Sequence, residues 1–143
     1  MTESLTGEPI AVDTNVIGWL FSRKPERLPY EPYVTGRQLV ISFMTVAELR
    51  FGAEVAGWGQ ARRDRLEDIL RSMVVVVPDD DLVNAYATLR ARCKRIGHGL
   101  HAKDHEADRW IAATAMRYGL QLVSDDKIFD NVPGLVNIRV PIS

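Results

Sequence analysis

The chain has 143 residues, 46% of them hydrophobic and 26% charged, with a formal net charge of −1. Such values describe one globular domain, spanning residues 1–143, that buries roughly 68–70% of its unfolded surface; they exclude disorder and any global pull toward nucleic acid or membrane. The single cysteine, Cys93, excludes an intramolecular disulfide and fits a reducing cytoplasm, no apolar run nears the roughly 20 residues of a membrane span, and MTESLTGE has neither the basic start nor the apolar middle of a leader.

In chain order, strand-like runs at 9–12, 38–42, 74–77, 121–123 and 136–140 alternate with helical patterns at 15–21, 44–56, 60–72, 82–96 and 108–118. Turn markers fall between them: Gly57 and Gly59, Pro78 after VVVV, Gly97 and Gly99, and Gly119. Residues 23–32, with three prolines, read as a loop or broken helix. Short apolar strands alternating with amphipathic helices predict an α/β fold, a parallel sheet covered on both faces. There is no repeat, low-complexity tract or interdomain linker. Arg62, Arg63 and Arg65, and Arg90, Arg92, Lys94 and Arg95, form local basic clusters suited to a phosphate backbone.

Ligands of open α/β sheets sit beyond the carboxyl ends of the strands. PIAVDTNVIGWL places Asp13 at such an end, and QLVSDD places Ser124, Asp125 and Asp126 at another. Two further acids share faces with apolar residues of their helices. Glu48 in TVAELRFGAEV aligns with Phe51, Gly52 and Val55, and Asp108 in ADRWIAATAMRYG aligns with Ile111, Ala112 and Ala115. A carboxylate so placed is costly unless paired, hydrogen-bonded or bound to metal, although the helix dipole favours it in a first turn.

Each acid alone has a purely structural explanation. Thr45 and Glu48 have capping-box spacing, Asp13 and Asp126 suit helix starts, and Asp108 stands near one. Their common placement at one sheet edge is what capping leaves unexplained. Gathered carboxylates repel by about 4 kcal/mol per pair at 4 Å and an effective dielectric near 20, so they call for a cation. Hard divalent ions, Mg²⁺ or Mn²⁺, suit an all-oxygen site and support hydrolysis of phosphodiesters. His98, His101 and His105 offer no HExxH pattern, and Asp104 stands as an accessory acid one turn before Asp108. A non-catalytic binding module with its acids as caps is the alternative from another class. An aspartate-based phosphatase fits less well, since DTN lacks a second Asp two positions after the first.

VDTNVI, TVAELRFG, ADRWIAATA and LVSDDKIF, in that order, closely resemble the four acidic motifs of PIN-domain ribonucleases, and within them the VapC toxins of toxin–antitoxin pairs. The resemblance spans essentially the whole chain. It implies a PIN fold with a central parallel sheet and an Mg²⁺- or Mn²⁺-dependent endoribonuclease cutting tRNA or ribosomal RNA. It implies a cytoplasmic homodimer neutralised by a VapB-like antitoxin. Carried over, Asp13, Glu48, Asp108 and Asp126 are the catalytic and metal-site acids, with Ser124 at a position usually Thr. Asp125 stands beside the expected fourth acid, and Asn15 is expected to orient Asp13 by hydrogen bonding. Trp19, Phe21 and Trp58 are candidates for a groove holding the antitoxin, or for core and dimer contacts.

Overall fold

A computed structural model describes residues 7–141; the segment read as lacking a leader lies largely outside them. Five strands form one parallel sheet: β1 (Gly7–Val12), β2 (Arg37–Ser42), β3 (Val74–Val76), β4 (Leu122–Val123) and β5 (Asn137–Ile138). Their spatial order is β3-β2-β1-β4-β5. The chain therefore winds outward from β1 to one edge, then returns to lay β4 on the other side of β1. That reversal puts the switch in strand order, where α/β sheets open to ligands, between the carboxyl ends of β1 and β4.

The long helices are α1 (Thr14–Phe21), α3 (Phe43–Ala56), α4 (Gln60–Arg71), α5 (Asp80–Ile96) and α6 (Glu106–Arg117), with a four-residue α2 (Glu31–Val34). The proline-rich segment forms a 3₁₀ turn, Pro25–Arg27, followed by α2. Strand alternation explains why both faces are covered. Ile10, Val12, Ile41 and Val123 pack with Val16, Ile17, Leu66 and Leu70 of α1 and α4, while Ala11, Val40 and Leu122 pack with Leu82, Leu89, Ile111 and Ala115 of α5 and α6. Neighbouring residues of one strand thus feed opposite layers, which is why the strands read as continuous apolar runs.

Local chemistry sets the boundaries. Asp79 caps α5 through the Leu82 amide, Asp80 and Asp81 occupy its first turn, and Lys94 and Arg95 its last. Gly57, at φ 65°, reverses the chain between α3 and α4, a conformation that favours glycine. The apolar stripe expected on α3 is not a core face: Phe51 and Val55 are 70% and 71% exposed. The capping-box reading also falls. Ser42 caps α3 through the Met44 amide, and Thr45 lies inside the helix, fully buried.

Candidate metal centre

Asp13 leaves β1 with its amide donating to Val123 O at 3.0 Å, which ties it to the end of β4. Its Oδ1 accepts from the Thr14 amide at 2.6 Å and its Oδ2 from the buried Ser124 hydroxyl at 2.7 Å. Ser124 Oγ in turn accepts from the Asp126 amide at 3.0 Å, so one hydroxyl joins the first and last acidic motifs. Thr14 Oγ1 donates to Glu48 Oε1 at 2.7 Å and lies 3.1 Å from Thr45 Oγ1, fixing α3 beside α1. Asp108, in the first turn of α6, meets His105 Nδ1 at 2.9 Å through Oδ2.

Electrostatics ties the four together. Burial pushes the Asp13 carboxyl up to about 6 against the pull of its two hydrogen bonds, and the charges of Asp108 and Glu48 add to the rise. Burial also raises Asp108, His105 opposes this, and the charge of Asp126 reinforces it. Asp13, Glu48, Asp108 and Asp126 therefore share one field at the switch point. Among the described residues no three Asp, Glu, His or Cys side chains converge as a ready-made ligand cluster. Mg²⁺ tolerates such an arrangement, since it keeps several waters and needs only one or two direct carboxylates. Four carboxylates in one field, two of them raised first by burial and then by a neighbour's charge, offer oxygen donors that fit a hard divalent cation.

The neighbouring acids and histidines divide clearly. Asp125 turns away from the other acids: Tyr30 OH donates to its Oδ1 and itself accepts from the Val140 amide at 3.2 Å. Asp126 caps the following 3₁₀ turn through the Ile128 amide at 3.0 Å. Asp104 is exposed and bonds to none of the four acids. His98 has both ring nitrogens occupied, accepting from the Leu100 amide and meeting Asp130 O. Asn15 is exposed and makes no side-chain hydrogen bond among the described residues; Thr14 and Ser124 hold Asp13 instead.

Sequence reasoning missed three positioning groups. Thr14 is the middle residue of DTN, and a hydroxyl next to an acid carries no distinctive signal. His105 lies three residues before Asp108, a helical spacing that was open to view. Arg109 is the third: it is 2% exposed, donating to Leu100 O, Ala102 O and the Tyr86 hydroxyl. It thereby anchors the segment that leads into α6.

A family model for the PIN domain matches residues 10–135. The chain belongs to the PIN-domain family. This PIN domain is 36% identical over 125 residues to a VapC ribonuclease of Sinorhizobium fredii, covering 82% of this chain and 86% of that one. Its backbone matches the DNA-bound VapBC of Salmonella typhimurium with a TM-score of 0.71 at 25% identity, covering 93% of this chain and 98% of that one. It also matches VapBC-5 of Mycobacterium tuberculosis with a TM-score of 0.65 at 28% identity, covering 92% and 98%. The parallel sheet and flanking helices are thus those of a PIN domain, as the four motifs imply. No helix among the described residues is long and apolar enough to cross a membrane.

Proposed function

We propose that the chain, folded as one PIN domain over residues 1–143, is a VapC-type endoribonuclease toxin. The reading rests on one observation above all: four acids from distant parts of the chain share a field at the switch point, where the buried Asp13 is hydrogen-bonded to Ser124 and feels the charges of Asp108 and Glu48. Asp13, Glu48, Asp108 and Asp126 hold Mg²⁺ or Mn²⁺ directly or through water. When bound, the ion neutralises these charges, lowers the pKa of water and stabilises charge on the phosphoryl oxygens of the RNA. The protein's own part is positioning. Ser124 and the Thr14 amide fix Asp13, the Thr14 hydroxyl fixes Glu48, and His105 fixes Asp108.

The cytoplasmic substrate is a structured RNA such as tRNA or ribosomal RNA. A VapB-like antitoxin covers the acids in the inactive complex, a partner supported by the VapC relative and the VapBC neighbours. The active form is a homodimer.

The test compares cleavage of total cellular RNA by wild type and by Asp13→Asn, Asp108→Asn, Asp126→Asn and Asp125→Asn with Mn²⁺ supplied. Cut sites are expected for wild type and Asp125→Asn, whose side chain faces Tyr30, and a loss of at least about 100-fold for the other three. Undiminished cutting by Asp13→Asn and Asp108→Asn would refute the assignment.

A further inference from the structure

Beside the acids, α1 and α4 build a second surface of different chemistry. Phe21 stacks on Trp58, ring centroids 5.4 Å apart and planes 23° from parallel. The Arg62 guanidinium lies 3.8 Å from the Trp58 centroid and that of Arg65 lies 4.8 Å from Phe21. Arg62 also donates to Ser22 Oγ at 3.3 Å. Arg50, Arg63 and Arg71 nearby each pair with a carboxylate, whereas Arg62 and Arg65 pair with none among the described residues. A groove of about 290 Å³ runs from this stack, past Gly18 and Gly52, to Thr14 and Glu48, with Lys24 on its rim.

The groove thus has Glu48 at one end and, at the other, cations without a carboxylate partner lying over its aromatic rings. A stacked guanidinium keeps its N–H fork free for a phosphate, and its planar face and the indole edge suit a nucleobase. RNA reaching the acids also brings flanking phosphates that those acids repel, and Lys24 in the groove, with Arg62 and Arg65 over its aromatic end, supplies the opposing charge. A purely apolar polypeptide segment would fill the floor but leave both guanidinium groups without an anion. A nucleotide answers both.

We propose that this surface is a nucleotide subsite. It takes one unpaired nucleotide of the RNA adjoining the cut, its base against the Arg62–Trp58 stack and its phosphate on Arg62 and Arg65. Substrates are therefore single-stranded or looped at that position, where a base is free to leave its neighbours. The proposal rests on the ribonuclease reading.

The test uses Asp13→Asn protein, which holds RNA without cutting it, and a short fluorescein-labelled single-stranded RNA titrated at several salt concentrations. Adding Arg62→Gln and Arg65→Gln is expected to weaken binding at least about 10-fold and to flatten the dependence of log affinity on log salt by about 0.7 per arginine. In the active protein, the same pair raises KM more than it lowers kcat. Gly52→Leu obstructs the groove from a helical position where an added Cβ meets nothing within 4 Å, so it raises KM while the thermal midpoint holds or rises. Unchanged RNA affinity and salt slope in the double arginine variant overturn the subsite. So does an effect confined to binding of an antitoxin peptide. If Asp13→Asn protein binds no RNA and wild type cuts none, the ribonuclease reading itself has failed and the subsite falls with it.

Discussion

Asp13 performs two tasks that pull in opposite directions. As the cap of α1 it accepts hydrogen bonds that favour its anion, while its burial and the charges of Asp108 and Glu48 favour the acid, and the acid gains. With the folded carboxyl at about 6 and the unfolded one at 3.8, the folded state holds a proton that the unfolded state has released. Stability contributed by this group is therefore greatest at low pH and falls as pH rises from about 4 to 6, by up to about 3 kcal/mol. Asp13→Asn is expected to flatten that portion of the profile and leave the metal-free protein at least as stable as wild type at pH 7. Thermal unfolding from pH 4 to 7.5 measures it. A variant that keeps the wild-type slope would mean that Asp13 is ordinarily charged throughout.

The elements that carry the acids differ in how firmly they are held. α6 is anchored at its start by Arg109, a buried cation satisfied by two carbonyls and a tyrosine hydroxyl, with its guanidinium over the Tyr86 ring. Arg109→Ala leaves Leu100 O and Ala102 O without that donor, an expected loss of about 2–4 kcal/mol in urea unfolding. A loss below 1 kcal/mol would show the loop to be held by other bonds. The strand–helix alternation was legible in the sequence, because each run of apolar residues feeds two packed layers and each break carries a turn former. The meeting of Asp13 with the residues after β4 was legible too, since strand ends in a parallel sheet face one way. The inner face of α3 was not. Periodicity registers Phe51 and Val55 as apolar but cannot tell that no element packs over them, whereas Thr45 on the buried side looks polar. Nor did Asp125 and Asp126 separate, because the group that distinguishes them, Tyr30, lies 95 residues away in the proline-rich segment.

At the scale of the whole molecule, the sheet has one open edge lined with apolar side chains. β3 is an outer strand, and Val74, Val75 and the following Val77 are exposed along it. Edge strands of this kind pair with other chains unless charge blocks them. Two grooves meet along it, one containing Phe43, Val46 and Met73 and the other Val40, Tyr118 and Leu120, which makes this edge the expected seam of the proposed homodimer. Val74→Lys with Val77→Lys is expected to halve the mass seen by light scattering while the far-ultraviolet circular dichroism stays folded. A dimer that survives both charges would locate the interface on another face.

The pairing of β1 with β4 has a consequence for synthesis. The central strand precedes the other described strands, yet of its two neighbours β4 arrives more than 100 residues later, together with Ser124 and Asp126. Of the three acids proposed to share a cation with Asp13, only Glu48 precedes the last quarter of the sequence, so under the proposed activity the site is incomplete until Asp108, Ser124 and Asp126 have emerged. Under the proposed activity, cutting has to wait for β4 and the residues after it, which gives a co-translated inhibitor time to be present first.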